Sequence, residues 1–153
     1  MGPTIRTGPR IARSARLRLS CTAAVFQGER ILVTRRADNG RWCLPGGGID
    51  SGETVAESCC REVLEETGLV IEIERLIGIY SDPNRIFVYP DNAWHVVELL
   101  FAAKAAGGSL RTTAETTEAR FFTREDTASL DLLEHDAERL ADVFAGNTAA
   151  FIR

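Results

Sequence analysis

Three glutamates, Glu62, Glu65 and Glu66, stand within one short stretch of the segment GGIDSGETVAESCCREVLEETGL, residues 47–69. The spacing from Glu53 to Thr67 predicts a helix. At about 100° per residue, Glu66 falls about 40° to one side of Glu62 and Glu65 about 60° to the other. The three carboxylates then share an arc of about 100°. Val63, Ala56, Thr67, Cys60 and Leu64 fall opposite, as an apolar face for a core. Like charges at these spacings destabilise a helix by roughly 0.2–0.5 kcal/mol per pair. Carboxylates at a helix C-terminus also oppose its dipole. A solvated acidic face is one reading of such a helix. The other is a site for cations, and clustered hard oxygens suit Mg²⁺ or Mn²⁺.

Just before the helix stands Leu44-Pro45-Gly46-Gly47-Gly48. Consecutive glycines let backbone approach a ligand or a side chain closely. Within the helix, Glu57 and Arg61 form a favourable i,i+4 pair. Ser58 has no histidine near it in sequence, so a serine nucleophile is not indicated. Glu98 sits in the apolar run Val96-Val97-Glu98-Leu99-Leu100, where burial of a carboxylate is costly. It either faces a cleft and touches substrate or is salt-bridged within the sheet. Trp42, Tyr80, Phe87, Tyr89 and Trp94 could each stack on a base or pack in the fold.

The elements that must position these residues follow from patterning. Leu17, Leu19, Cys21, Ala23 and Val25 alternate with Arg18, Ser20 and Thr22, which predicts a strand with one apolar side. A turn at Gln27–Glu29 and a strand from Ile31 to Thr34 complete a hairpin. Arg35 to Gly48 reads as a loop. Asp50 or Ser51 is the expected helix cap, and Gly68 the expected C-terminal glycine. Leu69–Ile79 reads as a strand, Ser81–Asn92 as a loop, and Trp94–Ala103 as a strand buried on both faces. A short strand at Ala119–Phe122 and a helix over about 132–144 close the chain. The mixture predicts an α/β sandwich of 153 residues in one domain, residues 16–153, after a basic, partly flexible extension at 1–15.

Composition excludes several classes. A net charge of -4 gives no reason to expect nucleic acid or an anionic membrane as a general partner. No apolar run is long enough to span a bilayer. Arg6, Arg10, Arg13, Arg16 and Arg18 precede the first acid, Glu29. They add positive potential where an anionic substrate could profit, and no apolar segment of a secretory signal accompanies them. Cys21, Cys43, Cys59 and Cys60 form no C-x-x-C pair, and His95 and His135 stand apart, so reduced thiols and a cytoplasmic location are expected rather than a zinc site.

Residues 47–69 resemble the Nudix box, G-x5-E-x7-R-E-U-x-E-E-x-G-U, at every fixed position: Gly47, Glu53, Arg61, Glu62, Val63, Glu65, Glu66, Gly68 and Leu69. The order of elements also resembles the whole Nudix fold, an α/β/α sandwich with a mixed β-sheet. The resemblance implies hydrolysis of a phosphoanhydride bond in a nucleoside diphosphate linked to another moiety, with Mg²⁺, or Mn²⁺ in its place. It implies metal ligands at Glu62, Glu65, Glu66 and the Gly46 carbonyl. Gly47, Glu53, Arg61 and Gly68 become structural parts of the motif, with Arg61 orienting a box acid. Thr34-Arg35-Arg36-Ala37-Asp38 is similar to the end of the second strand in MutT-like members, which makes Arg36 a phosphate-binding candidate.

A distal acid, Glu115 or Glu118, is the implied further ligand or base, with Glu115 fitting the MutT-like spacing better. Substrate choice lies outside the box. Pro83 stands near the proline offset associated with ADP-ribose pyrophosphatases, which tilts the reading to ADP-ribose or a nucleotide sugar. A (d)NTP or a dinucleoside polyphosphate is the alternative, suggested by Thr34–Asp38. The intact box argues against a non-catalytic nucleotide sensor. The family also allows a homodimer.

Overall fold

The computed structural model describes residues 2–153. Ten strands form one branched, mixed sheet. In chain order they are β1 (Thr4–Thr7), β2 (Arg16–Gln27), β3 (Arg30–Arg36), β4 (Trp42–Cys43), β5 (Gly46–Gly48), β6 (Leu69–Tyr80), β7 (Arg85–Val88), β8 (Ala93–Gly108), β9 (Thr116–Phe122) and β10 (Phe151–Ile152). Helix α1 (Val55–Thr67) follows β5, and α2 (Arg124–Thr127) and α3 (Glu134–Ala145) follow β9. The main path runs β1-β7-β8-β2-β3-β4, with β6 on β8, β5 on β2, β9 on β3 and β10 on β6.

β8 is the spine. It pairs in parallel with β2 from Arg16↔Trp94 to Phe26↔Lys104, and antiparallel with β6 from Tyr80↔Glu98 to Leu69↔Gly108. Its two faces feed different cores, Leu100 and Ala102 on one and Phe101 and Ala103 on the other, which is why its middle reads as a continuous apolar run. The period-2 alternation of β2 and β3 then feeds two cores. Cys21, Ala23, Val25 and Leu32 pack with Cys59 and Val63 of α1. Ala24, Ile31 and Val33 pack on the other face with Leu100, Leu140 and Val143. Helices thus cover both faces of the sheet, and the expected α/β/α sandwich is the observed one. Among the described residues no helix is long and apolar enough to cross a membrane.

Several expectations shift. The basic stretch before β2 is built into the fold: β1 pairs antiparallel with β7, residues 11–14 make a 3-10 turn, and Ala12 is buried. Arg35–Gly48 holds two short strands rather than a plain loop, and 81–92 holds β7, which lacks strong patterning because it is only four residues long. Leu17 and Leu19 are exposed, because the inward packing of β2 begins only at Cys21. The thiols are free.

Helix α1 begins later than the sequence suggests. Thr54, not Asp50 or Ser51, is the cap: its hydroxyl accepts the Glu57 N–H at 3.2 Å, and the Glu57 carboxylate accepts the Thr54 N–H at 2.7 Å. Glu57 is therefore used in the cap and does not pair with Arg61. Gly68 ends the helix at φ 78°, and its N–H donates to the Leu64 carbonyl.

Candidate active site

The buried side of α1 is made by Ser58, Cys59, Val63 and Thr67, while Ala56 and Leu64 are exposed. That rotates the helix relative to the face expected from apolar residues alone. At about 100° per step, Glu66 lies about 20° from Cys59 and Glu62 about 60° from it. Two of the three box acids therefore point toward the sheet. The room for them comes from β5, three glycines paired with Ser20, Cys21 and Thr22 of β2. A β-carbon on Gly47 would run into the Glu62 carboxylate. The Gly46 N–H donates to Glu66 Oε2 at 3.0 Å.

Arg61 ties the motif together. Its Nε donates to Glu53 Oε1 at 2.8 Å and Nη2 to Glu53 Oε2 at 2.9 Å. Nη1 donates to Glu62 Oε1 at 2.8 Å, and Nη2 reaches the Gly48 carbonyl at 3.3 Å. Ser58 Oγ donates to Glu53, which accounts for that serine without nucleophilic chemistry. Arginine and serine together hold the Glu53 carboxyl down at about 2. Glu65 is the outward member of the acidic set, with 63% of its side chain exposed against 19% for Glu62.

All three glutamates line one cleft of about 830 Å³. Burial pushes the Glu66 carboxyl up to about 7, and the negative charges of Glu62 and Glu115 push the same way. The Gly46 N–H and Arg36 oppose the rise. Glu115 lines the same cleft. Glu118, the other distal acid, is bound instead to Arg35 Nη1 at 2.8 Å. Arg36 also lines the cleft, but its fork is engaged by Asp38, with Nε donating at 2.9 Å and Nη2 at 2.6 Å.

Glu98 lines the cleft and is also salt-bridged within the fold. Arg139 of α3 donates to its Oε2 from Nε at 3.1 Å and from Nη2 at 3.0 Å, and both residues are buried. Of the aromatic candidates, Phe87, Tyr89 and Trp94 line the cleft. Trp42 packs edge-on against Phe122, and Tyr80 is buried with its hydroxyl donating to Asp142. Pro83 is outside the cleft lining, and its carbonyl accepts the Ala12 N–H.

The lining residues outside the box-based expectation include Arg18, Asp38, His135 and Asp136. Arg18 was accessible through the alternation Arg18-Ser20-Thr22, which puts it on the cleft side of β2. Asp136 carries no such signal, because an acid in the first turn of a helix ordinarily serves the dipole. Here it is buried and accepts the Leu44 N–H at 3.3 Å. Burial, and then the charge of Glu98, holds its carboxyl well above the usual carboxylate range. Burial likewise depresses the neighbouring His135 to about 4.

A divalent cation would have to bind on the donors that this cleft supplies. Among the described residues no three acids converge into a ready-made cage. Mg²⁺ does not require one, because it keeps several waters and binds through one or two carboxylates plus substrate phosphates. Glu62, Glu66 and Glu115 offer hard oxygens; burial first, and then the charges of Glu62 and Glu115, raise the Glu66 carboxyl, and a cation bound beside it would favour its ionised form. The residues fit the group.

Comparison with known proteins agrees with this geometry. The NUDIX domain family model matches residues 16–144. The chain is 36% identical over 139 residues to a MutT-like protein of Streptomyces ambofaciens, covering 90% of this chain and 79% of that one. It is 38% identical over 115 residues to the ADP-ribose pyrophosphatase of Methanocaldococcus jannaschii, covering 73% of this chain and 63% of the relative, so it spans less than two thirds of that protein. An ADP-ribose pyrophosphatase structure from Streptococcus suis superposes with a TM-score of 0.69 at 28% identity, covering 89% of this chain and 97% of the other.

Proposed function

The chain belongs to the NUDIX domain family and is a pyrophosphohydrolase acting on nucleoside diphosphate derivatives, and from that premise we propose that it is Mg²⁺-dependent and takes ADP-ribose or a nucleotide sugar. The observation that carries the metal-site reading is that Glu62, Glu65, Glu66 and Glu115 line one cleft together with Phe87, Tyr89 and Trp94. The likeness to two ADP-ribose pyrophosphatases supports the substrate. A second reading, a (d)NTP, rests on the Thr34–Asp38 segment and on the MutT-like relative.

Glu62, Glu65, Glu66 and the Gly46 carbonyl would hold the cation. When bound, it neutralises charge on phosphate oxygens and acidifies a water. Arg61 fixes the Glu62 carboxylate through Oε1, and the Gly46 N–H fixes Glu66 through Oε2, so both present defined oxygens to the cleft. Among the described residues the Glu115 side chain is tied to neither arginine nor backbone, which leaves it free to take the proton of the attacking water. Phe87, Tyr89 and Trp94 offer the stacking surface for a nucleoside.

Excess EDTA should abolish hydrolysis across a panel of ADP-ribose, nucleotide sugars and (d)NTPs, and Mg²⁺ or Mn²⁺ should restore it. Full turnover in chelator would sink the metal mechanism. Faster turnover of a (d)NTP than of ADP-ribose, compared as kcat/KM, would replace the first substrate reading by the second.

A further inference from the structure

Five arginines precede the first acid of the chain, and only one of them, Arg18, lines the cleft. The lining holds no lysine and just one other arginine, Arg36, whose guanidinium is already bound in two places by Asp38. Arg18 differs in kind. Its guanidinium lies against Gly48, where a β-carbon would come within 2.5 Å of Nη2 and 3.3 Å of Cζ. On the aromatic side it is 5.7 Å from the ring centre of Trp94. Among the described residues no carboxylate pairs with it, although Glu62, Glu65, Glu66, Glu98 and Glu115 line the same cleft. The absent side chain of Gly48 and the indole of Trp94 thus hold a full positive charge in place without neutralising it.

We propose that Arg18 is the anion-binding residue for the substrate phosphate on the nucleoside side of the scissile bond. The assignment rests on the hydrolase reading above and adds a residue that the box does not contain. Three features favour that phosphate. The guanidinium adjoins Trp94, one of the three aromatic residues of the cleft, so the group it holds is the one attached to the stacked nucleoside. Its donors are unspent, and a planar guanidinium matches a phosphate with two parallel N–H bonds. The box acids Glu62, Glu65 and Glu66 line the same cleft, and a phosphate held beside them would be met through cations rather than through an arginine. Strand register enforces the position: Arg18 is opposite Val96 in the parallel pairing of β2 with β8, two residues on from Arg16↔Trp94.

The test is equilibrium binding of AMP and adenosine to the metal-free protein in EDTA, followed by calorimetry, for the parent, Arg18→Ala and Arg18→Lys. AMP carries the nucleoside-side phosphate and adenosine lacks it. The parent should prefer AMP, and Arg18→Ala should lose about tenfold or more of AMP affinity while binding adenosine as before. Arg18→Lys, which keeps the charge but not the fork, should fall between. Unchanged melting temperatures would show that the fold is intact. AMP binding that survives Arg18→Ala, no AMP preference in the parent, or an equal loss for adenosine would each overturn the assignment, the last by making Arg18 a stacking surface. Failure of the hydrolase reading looks different: a parent that hydrolyses nothing on the substrate panel with Mg²⁺.

Discussion

Glu66→Gln and Glu62→Gln should each lower kcat by on the order of 10²-fold or more, since even partners that only orient a metal ligand are worth about 10–100-fold. Their effects on stability should differ, because the structure holds the two acids differently. Burial raises Glu66 from the ordinary value of 4.5 to about 7. Between those values the folded protein binds more protons than the unfolded chain, so metal-free stability falls as pH rises from about 4.5 to about 7. At about 1.36 kcal/mol per unit, the loss is on the order of 3 kcal/mol.

Glu66→Gln removes that loss, so in EDTA at pH 8 it should melt above the parent. Glu62→Gln also relieves repulsion but takes a counter-charge from Arg61, so it should not gain. Saturating Mg²⁺ should reverse the order, because bound metal stabilises only the protein that can hold it. Melting temperatures at pH 5 and pH 8, with EDTA and with Mg²⁺, decide the matter alongside kcat. A Glu66→Gln variant that is less stable than the parent in EDTA and keeps near-parental turnover would make the acidic face scaffold.

Arg139→Met should produce the largest loss of stability. It removes both hydrogen bonds that Glu98 receives from α3 and strands a carboxylate whose side chain is 10% exposed. Breaking a buried pair on one side costs about 3–5 kcal/mol. For a domain of this size that corresponds to a fall in Tm of on the order of 10 °C. The Arg139 guanidinium also lies 4.0 Å from the ring centre of Tyr80, so some cation–π attraction is lost with it. Removing both charges in Glu98→Leu/Arg139→Met should recover much of the stability, because an apolar pair of similar volume often replaces a buried ion pair at little cost. The double variant also isolates the substrate role of Glu98. A lowered kcat/KM in a well-folded double variant would mean that Glu98 serves the cleft as well as the sheet. Parental kinetics would leave it as architecture, and a single variant as stable as the parent would mean that the pair holds nothing together.

The box was legible because its chemistry and its geometry coincide. Fixed charges at helical spacing, a glycine strand before them and Gly68 after them can be read without knowing what lies across the cleft. The burial of Glu66 could not be read that way. It depends on β5 pairing with Ser20–Thr22 of β2, a contact made by backbone. The apolar face assigned from residue types misplaced Leu64 for the same reason: glycines opposite the helix let acids turn inward and leave a leucine outside. Spacing already favoured Glu115 over Glu118; what it could not show was the pairing of Glu118 with Arg35, which crosses from β3 to β9. Asp136 was hidden because its neighbours, Leu44 and Glu98, are distant in sequence. The short strands β4, β7 and β10 were missed because two to four residues carry too little periodicity to separate a strand from a loop.

The long parallel ladder between β2 and β8 governs when the site comes into being during synthesis. Its two halves are separated by roughly eighty residues of chain, and no short connection can bring them together early. A nascent chain that has emerged as far as Leu69 already contains every box residue, and α1 can form within its own span. β2 can by then pair with β3 and β5, but it lacks its longest partner until residues 94–104 have left the ribosome. Over that interval α1 has β2 and the glycine strand to lie on, but Glu98, Glu115 and Asp136 of the cleft wall are still to come. Closure of the ladder aligns Arg18 with Val96 and draws the cleft walls together in one step. The cleft is therefore completed only after its box, and a growing chain bears the cost of its clustered carboxylates before the rest of the lining is there to use them.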